Sequence, residues 1–198
     1  MIRALGLVAW CLVLVLMGAY HYGPGQNQMR LDDAGNLIRA ANVHLKNEQW
    51  EPAADLLSKA LELLPEDKKT VINAVRLERD KAWMNSSQLP DAHNDLVQLV
   101  EMLSSEKDSD PVVLREAKQS MANSKFYMTW LMRLEGKPRD QWLPHIETAR
   151  QTFRELAETA GDVGDIQLKQ SFQEDLESSI RLARLDMKQL QGLPIPSQ

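Results

Sequence analysis

A chain of 198 residues with 43% hydrophobic and 26% charged side chains is long enough for one well-buried domain, and too short for two comfortable ones once a targeting segment is set aside. A formal net charge of -5, with no cluster of Lys and Arg interleaved with aromatics, excludes a nucleic-acid-binding role and disfavours adhesion to anionic lipid headgroups. Abundant Leu, Ala, Glu, Gln and Lys beside few aromatic or β-branched residues favour an all-α protein, because straight side chains lose little rotamer freedom in a helix.

Residues 4–20, ALGLVAWCLVLVLMGAY, form an uncharged run of seventeen, about one bilayer span, preceded by Arg3. The run is apolar all round, so it lacks the polar stripe of a packed amphipathic helix. A cleavable signal ends on small residues in an A-x-A-like arrangement, whereas Met17-Gly18-Ala19 puts Met in one of the small positions. Residues 1–22 are therefore expected to be an uncleaved single-pass anchor, amino terminus cytoplasmic because Arg3 lies on that side and the next base is Arg30, with the rest of the chain on the outer face. Secretion after signal cleavage is the alternative. Cys11, the only cysteine, lies inside the apolar run and forms no intrachain disulfide. Residues 23–30, GPGQNQMR, have no periodicity and are expected to be a flexible tether, with the helical domain over 31–191 and a loose tail over 192–198.

In the helical domain, Asp32 and Asp33 offer an amino-terminal cap, and Leu37, Ile38, Ala41 and Leu45 predict a helix over about 34–47. Pro52 suits the first turn of a second helix, whose apolar face is Ala53, Leu56, Leu57, Ala60, Leu61 and Leu64 before Pro65 stops it. A connection this short folds the two helices back antiparallel.

Residues 34–67, which include NEQWEPAADLLSKALELLPED, are similar to one tetratricopeptide repeat. The span is 34 residues, and the family's small residue in the first helix, aromatic at the turn, paired small residues in the second helix and closing proline match Ala41, Trp50, Ala53, Ala60 and Pro65. These five are assigned to packing: the alanines let the helix backbones approach, and Trp50 fills the wedge at the turn. His44 stands where an aromatic is usual, and Glu48 where the family often has Gly.

Beyond the repeat, a third helix is predicted over 66–84 with Val71, Ile72, Val75, Ala82 and Trp83, and a fourth over 91–103 with Leu96, Leu99, Val100 and Leu103. Asp110 and Pro111 cap and open a long fifth helix that stops at Gly136 and Pro138. A sixth begins near Trp142 to His145 and stops at Gly161, and a seventh spans about 165–191, carrying Phe172, Leu176, Ile180, Ala183, Met187 and Leu190 against a polar outer face. The fold class is thus all-α: a transmembrane helix, then a short α-solenoid of antiparallel hairpins, tetratricopeptide-like, closed by a carboxy-terminal capping helix with one wet side.

No catalytic constellation is visible. The histidines at 21, 44, 93 and 145 are far apart, there is no G-x-S-x-G elbow or glycine-rich phosphate loop, and GDVGD at 161–165 is a helix stop followed by a helix start. No enzyme activity, cofactor or metal is expected. Trp83, Trp130 and Trp142, and the helically spaced Met121, Met128 and Met132, are assigned to the core. The resemblance implies a protein or peptide partner in a groove lined by the first helix of each hairpin, where Asn42, Lys46, Asn73 and Arg76 resemble part of a carboxylate clamp, with Ile38 where a further lysine is common. The expected function is a membrane-tethered interaction module or scaffold. The alternative is a structural subunit packed permanently into an envelope assembly.

Overall fold

The computed structural model describes residues 24–186 together with 10, 12, 13, 189 and 190. The expected anchor at 4–20 lies almost wholly outside the described residues, as does the tail at 192–198; among the described residues no helix is long and apolar enough to cross a membrane. The described residues form seven α-helices and no strand: α1 (Pro24–Lys46), α2 (Trp50–Leu63), α3 (Lys69–Met84), α4 (Leu89–Ser105), α5 (Pro111–Leu134), α6 (Arg139–Asp162) and α7 (Ile166–Arg184). They fall into two compact units, divided within α3 after Arg76.

The first unit holds α1, α2 and the start of α3. Arg30, near the start of α1, donates to the carbonyl of Glu62 at the end of α2 at 3.2 Å, so the two helices run antiparallel. Ala41, Ala53 and Ala60 are fully buried, and Leu57, Leu64 and Val75 close the core around them. Alanine at these positions adds no side-chain bulk or lost rotamer freedom, which lets the helices pack closely. Trp50 and Pro65 are half-buried.

Residues 24–30, expected as a tether, are the opening turns of α1 instead. Pro24 occupies the first helical position, where its missing N–H costs nothing, and the Gln, Asn, Met and Arg that follow extend a helix already anchored at Arg30. Asp32 and Asp33 are consequently exposed positions within the helix and cap nothing.

The second unit contains the end of α3 and α4 to α7. Its largest cluster sets Phe153, Ile146, Phe172 and Leu182 against Phe126 and Trp142. Each such side chain contributes about 1.5–3 kcal/mol through burial. A second cluster joins Leu77, Leu96, Leu99, Leu103 and Ala117. Met121 packs against this cluster and Met132 against the first, as the sequence pattern implied. Lys118 of α5 reaches Glu155 of α6 at 2.6 Å, near the start of one helix and the end of the other, so these two also run antiparallel.

Helix ends follow the capping chemistry. Asp110 accepts the Val112 N–H at 2.8 Å, and Asp165 accepts the Leu168 N–H at 3.0 Å. Three helices end in the same two-bond closure, in which the third residue past the helix reaches back five positions: Gln49 to His44, Lys137 to Met132 and Asp165 to Ala160. The residue between needs positive φ, and Gly136 (70°), Gly164 (77°) and Glu48 (56°) supply it.

Two boundaries depart from the sequence pattern. Helix α6 starts at Arg139, three residues before Trp142, so Pro144 sits inside it, and it passes Gly161 to end at Asp162 because Gly164 supplies the left-handed residue. Helix α7 stops at Arg184, short of residue 191. The Arg133 guanidinium holds the carbonyls of Leu182 and Leu185 there, and Leu190, though outside the helix, is only 1% exposed in the main cluster. Tertiary contacts thus end a helix whose local sequence carries no breaker before Gly192. Phe172 is fully buried, Leu176, Ile180 and Ala183 are half-buried, and Met187 lies outside the described residues.

Candidate functional site

In the first unit, Asn42 and Lys46 stand one turn apart on the exposed side of α1, opposite the buried Ala41. Val43 beside them is also exposed. Asn73 is only 8% exposed, and Arg76 is half-buried and engaged in an interaction. The four therefore divide into two exposed residues on α1 and two withdrawn ones on α3.

The second unit holds two polar clusters that residue spacing did not reveal. The first is built on Asp80, which is fully buried on α3. Arg79 donates to Asp80 Oδ1 through Nε at 3.1 Å and Nη2 at 2.9 Å, its Nη2 also reaches Asp95 Oδ2 of α4, and its guanidinium carbon lies 4.1 Å from the centre of the Trp83 ring. Burial first, and then a hydrogen bond and charge from Asp95, push the Asp80 carboxyl up to about 8 against the lowering pull of Arg79. At neutral pH Asp80 therefore carries a proton and donates it toward Asp95. Asp80 Oδ2 finds no partner when the group is treated as a carboxylate, and a protonated acid resolves that contradiction. Two acids, one proton and one guanidinium make a charge-neutral clamp between α3 and α4. Trp83 accordingly packs under a cation at the edge of the core.

The second cluster brings His93 of α4, Ser124 and Lys125 of α5 and His145 of α6 together. His93 Nδ1 lies 2.8 Å from Ser124 Oγ, and the His93 and His145 rings meet edge to face with centroids 6.2 Å apart. Ser124 Oγ also lies 2.7 Å from the Met121 carbonyl, and with its single hydroxyl proton placed there His93 Nδ1 is the donor between the two side chains. In that arrangement the imidazole gives a proton to the hydroxyl oxygen, the reverse of the direction an activated serine needs. Burial, then Lys125, then His145 push His93 down to about 4. Burial and Lys125 lower His145, and burial lowers Lys125.

Both clusters left a faint trace in the sequence. His93 falls on the buried stripe of α4 with Leu89, Ala92 and Leu96, and Asp80 lies three residues after Leu77 on that of α3. A polar residue in register with an apolar face signals a buried partner, but the partner's identity depends on tertiary contacts.

Elsewhere in this unit Arg133 stacks over Trp142, with its guanidinium carbon 4.8 Å from the ring centre, and Trp130 Nε1 donates to the Leu190 carbonyl at 3.4 Å. A shallow hollow of about 310 Å³ lies beside Glu177, Ile180, Arg181, Arg184 and Leu185 at the end of α7. Among the described residues no group of three or more His, Cys, Asp or Glu is placed to hold a metal ion.

Comparison with protein-family models, curated proteins and solved structures finds no match to this chain.

Proposed function

We propose that this protein is a membrane-tethered interaction module of tetratricopeptide-like design, whose first hairpin holds a partner peptide or helix against α1. The observation that supports this reading most is the division of α1 into two faces. Ala34 and Ala41 bury one side against α2, while Asn42, Val43 and Lys46 leave the other side open, mixing an apolar contact with amide and ammonium donors. Tethering through residues 4–20 confines the module to the membrane plane, where raised effective concentration lets weak contacts suffice.

The test is photo-crosslinking in cells, with the full chain carrying a reactive side chain at 42, 46 or 59 in turn. Asn42 and Lys46 occupy the proposed contact face, and Lys59 is an exposed residue of α2. A partner captured from 42 and 46 but not from 59 is the expected result; capture from 59 alone sinks the groove reading. Retention in the membrane fraction through alkaline extraction tests the anchor.

A second reading, a structural subunit packed permanently into an envelope assembly, is favoured by Val163 and Ile166. They are 74% and 77% exposed at the α6–α7 turn, an unusual place for two branched apolar side chains. Sedimentation of the full chain in detergent distinguishes the two, since a concentration-independent monomer counts against permanent assembly.

A further inference from the structure

His93, Lys125 and His145 come from three successive helices and meet in the second unit, and the charged groups that act on His93 are the other two, both basic. Several half-buried cations of this unit have carboxylates: Arg79 has Asp80 and Asp95, Lys81 has Glu78 and Glu116, Lys118 has Glu155, and Arg150 has Glu147. The Lys125 ammonium has neither a hydrogen bond nor an ion pair among the described residues. His145 Nδ1 is buried and lacks a hydrogen-bond partner among them. Gathering three basic groups with no acid costs free energy through desolvation and mutual repulsion, and an entering anion would reverse both effects.

We propose that His93, Lys125 and His145 form a proton-coupled binding site for an oxyanion, a carboxylate or a phosphate group. Lys125 supplies the standing positive charge. With the Ser124 proton on the Met121 carbonyl, His93 Nδ1 donates to the Ser124 hydroxyl oxygen, so Nε2 carries the lone pair and donates to an anion only after taking up a proton. His145 Nδ1 offers the third contact from α6. Anion entry stabilises the imidazolium form of both rings, so the bound site takes protons from solvent at constant pH. His93 is 8% exposed, while Lys125 and His145 are half-buried and nearer to solvent. This site does not rest on the α1 interaction face and stands or falls separately from it.

The experiment is a histidine-ring NMR titration of the full chain in detergent, adding acetate in one series and inorganic phosphate in another at fixed pH and ionic strength. Saturable movement of the His93 and His145 rings toward imidazolium shifts is expected, with no movement of His44, whose Nδ1 faces Gln49 Oε1 at 2.6 Å. Saturation by acetate assigns the site to carboxylates, and saturation by phosphate alone assigns it to phosphates. Lys125→Ala or Lys125→Gln should weaken the dissociation constant about tenfold, the scale of one charge-assisted hydrogen bond. No saturation with either anion overturns the proposal, as do saturation that leaves both rings neutral and unchanged affinity in a folded Lys125 variant. The first two outcomes are read on the unsubstituted chain, so an unfolded variant does not shield the proposal.

Discussion

The amide nitrogen of Gln49 lies 2.9 Å from the carbonyl oxygen of His44, and this closure holds Glu48 between them at a φ of 56°. Left-handed backbone costs an L-residue with a side chain about 1–2 kcal/mol, and glycine escapes that cost while losing more chain entropy on folding. Glu48→Gly should therefore raise stability by about 0.5–1 kcal/mol, measured by urea denaturation of the full chain. Gly164→Ala should lower it by about 1 kcal/mol, because Gly164 holds a φ of 77° at the equivalent place. A loss on Glu48→Gly would show that the Glu48 side chain contributes something its exposed position does not reveal.

The Asp80 clamp predicts a loss of stability toward alkali. Its folded-state value of about 8 lies above the ordinary 3.8, so the native state holds the proton more tightly than the unfolded chain. The contribution is complete below about 3.8 and fades as pH climbs through about 8, at up to about 1.4 kcal/mol per pH unit. Asp80→Asn keeps a neutral donor of the same shape, and its stability curve should be flatter across pH 5 to 8 than that of the unsubstituted chain.

His93 acts in the opposite sense. Its folded-state value of about 4 lies below the ordinary 6.5, so the unfolded chain binds the proton first. Stability is complete above about 6.5 and is lost as pH falls toward about 4. His93→Gln should shallow the acid limb of a thermal-melting series and leave the alkaline limb in place.

Arg133 ties the end of α5 to the end of α7 by donating to the Leu182 and Leu185 carbonyls while covering Trp142. Arg133→Ala leaves two carbonyls without their donor and uncovers the indole, so a destabilisation of about 2–4 kcal/mol is expected from urea denaturation. Arg133→Lys should recover less than half of that, because an ammonium does not match the planar fork. Equal stability for Arg133→Lys and the unsubstituted chain would reduce the contact to simple charge at a helix end.

Helical periodicity located the seven helices because each buries a stripe of Leu, Ala, Ile or Phe at spacings of three and four, as in Ala53, Leu57 and Ala60 of α2. The cap at Asp110 was legible for the same local reason. Residues 24–30 were misread because their Gly, Pro and amides weaken nucleation, which matters little once Arg30 docks on α2. The end of α7 was missed because Arg133 sets it from 49 residues away. The His93 and Asp80 clusters remained hidden for a related reason: sequence separation conceals a meeting of side chains from different helices.

Leu190 follows the end of α7 and yet is 1% exposed, with its carbonyl accepting from Trp130. Leu190 therefore plugs the core of the second unit from beyond the end of α7. Arg184 is itself exposed and is followed by Leu185, an ordinary point of attack for trypsin-like proteases. Cutting there would separate Leu190 from α7 and weaken the Phe153 and Phe172 cluster, so cleavage at that one peptide bond should loosen the second unit as a whole.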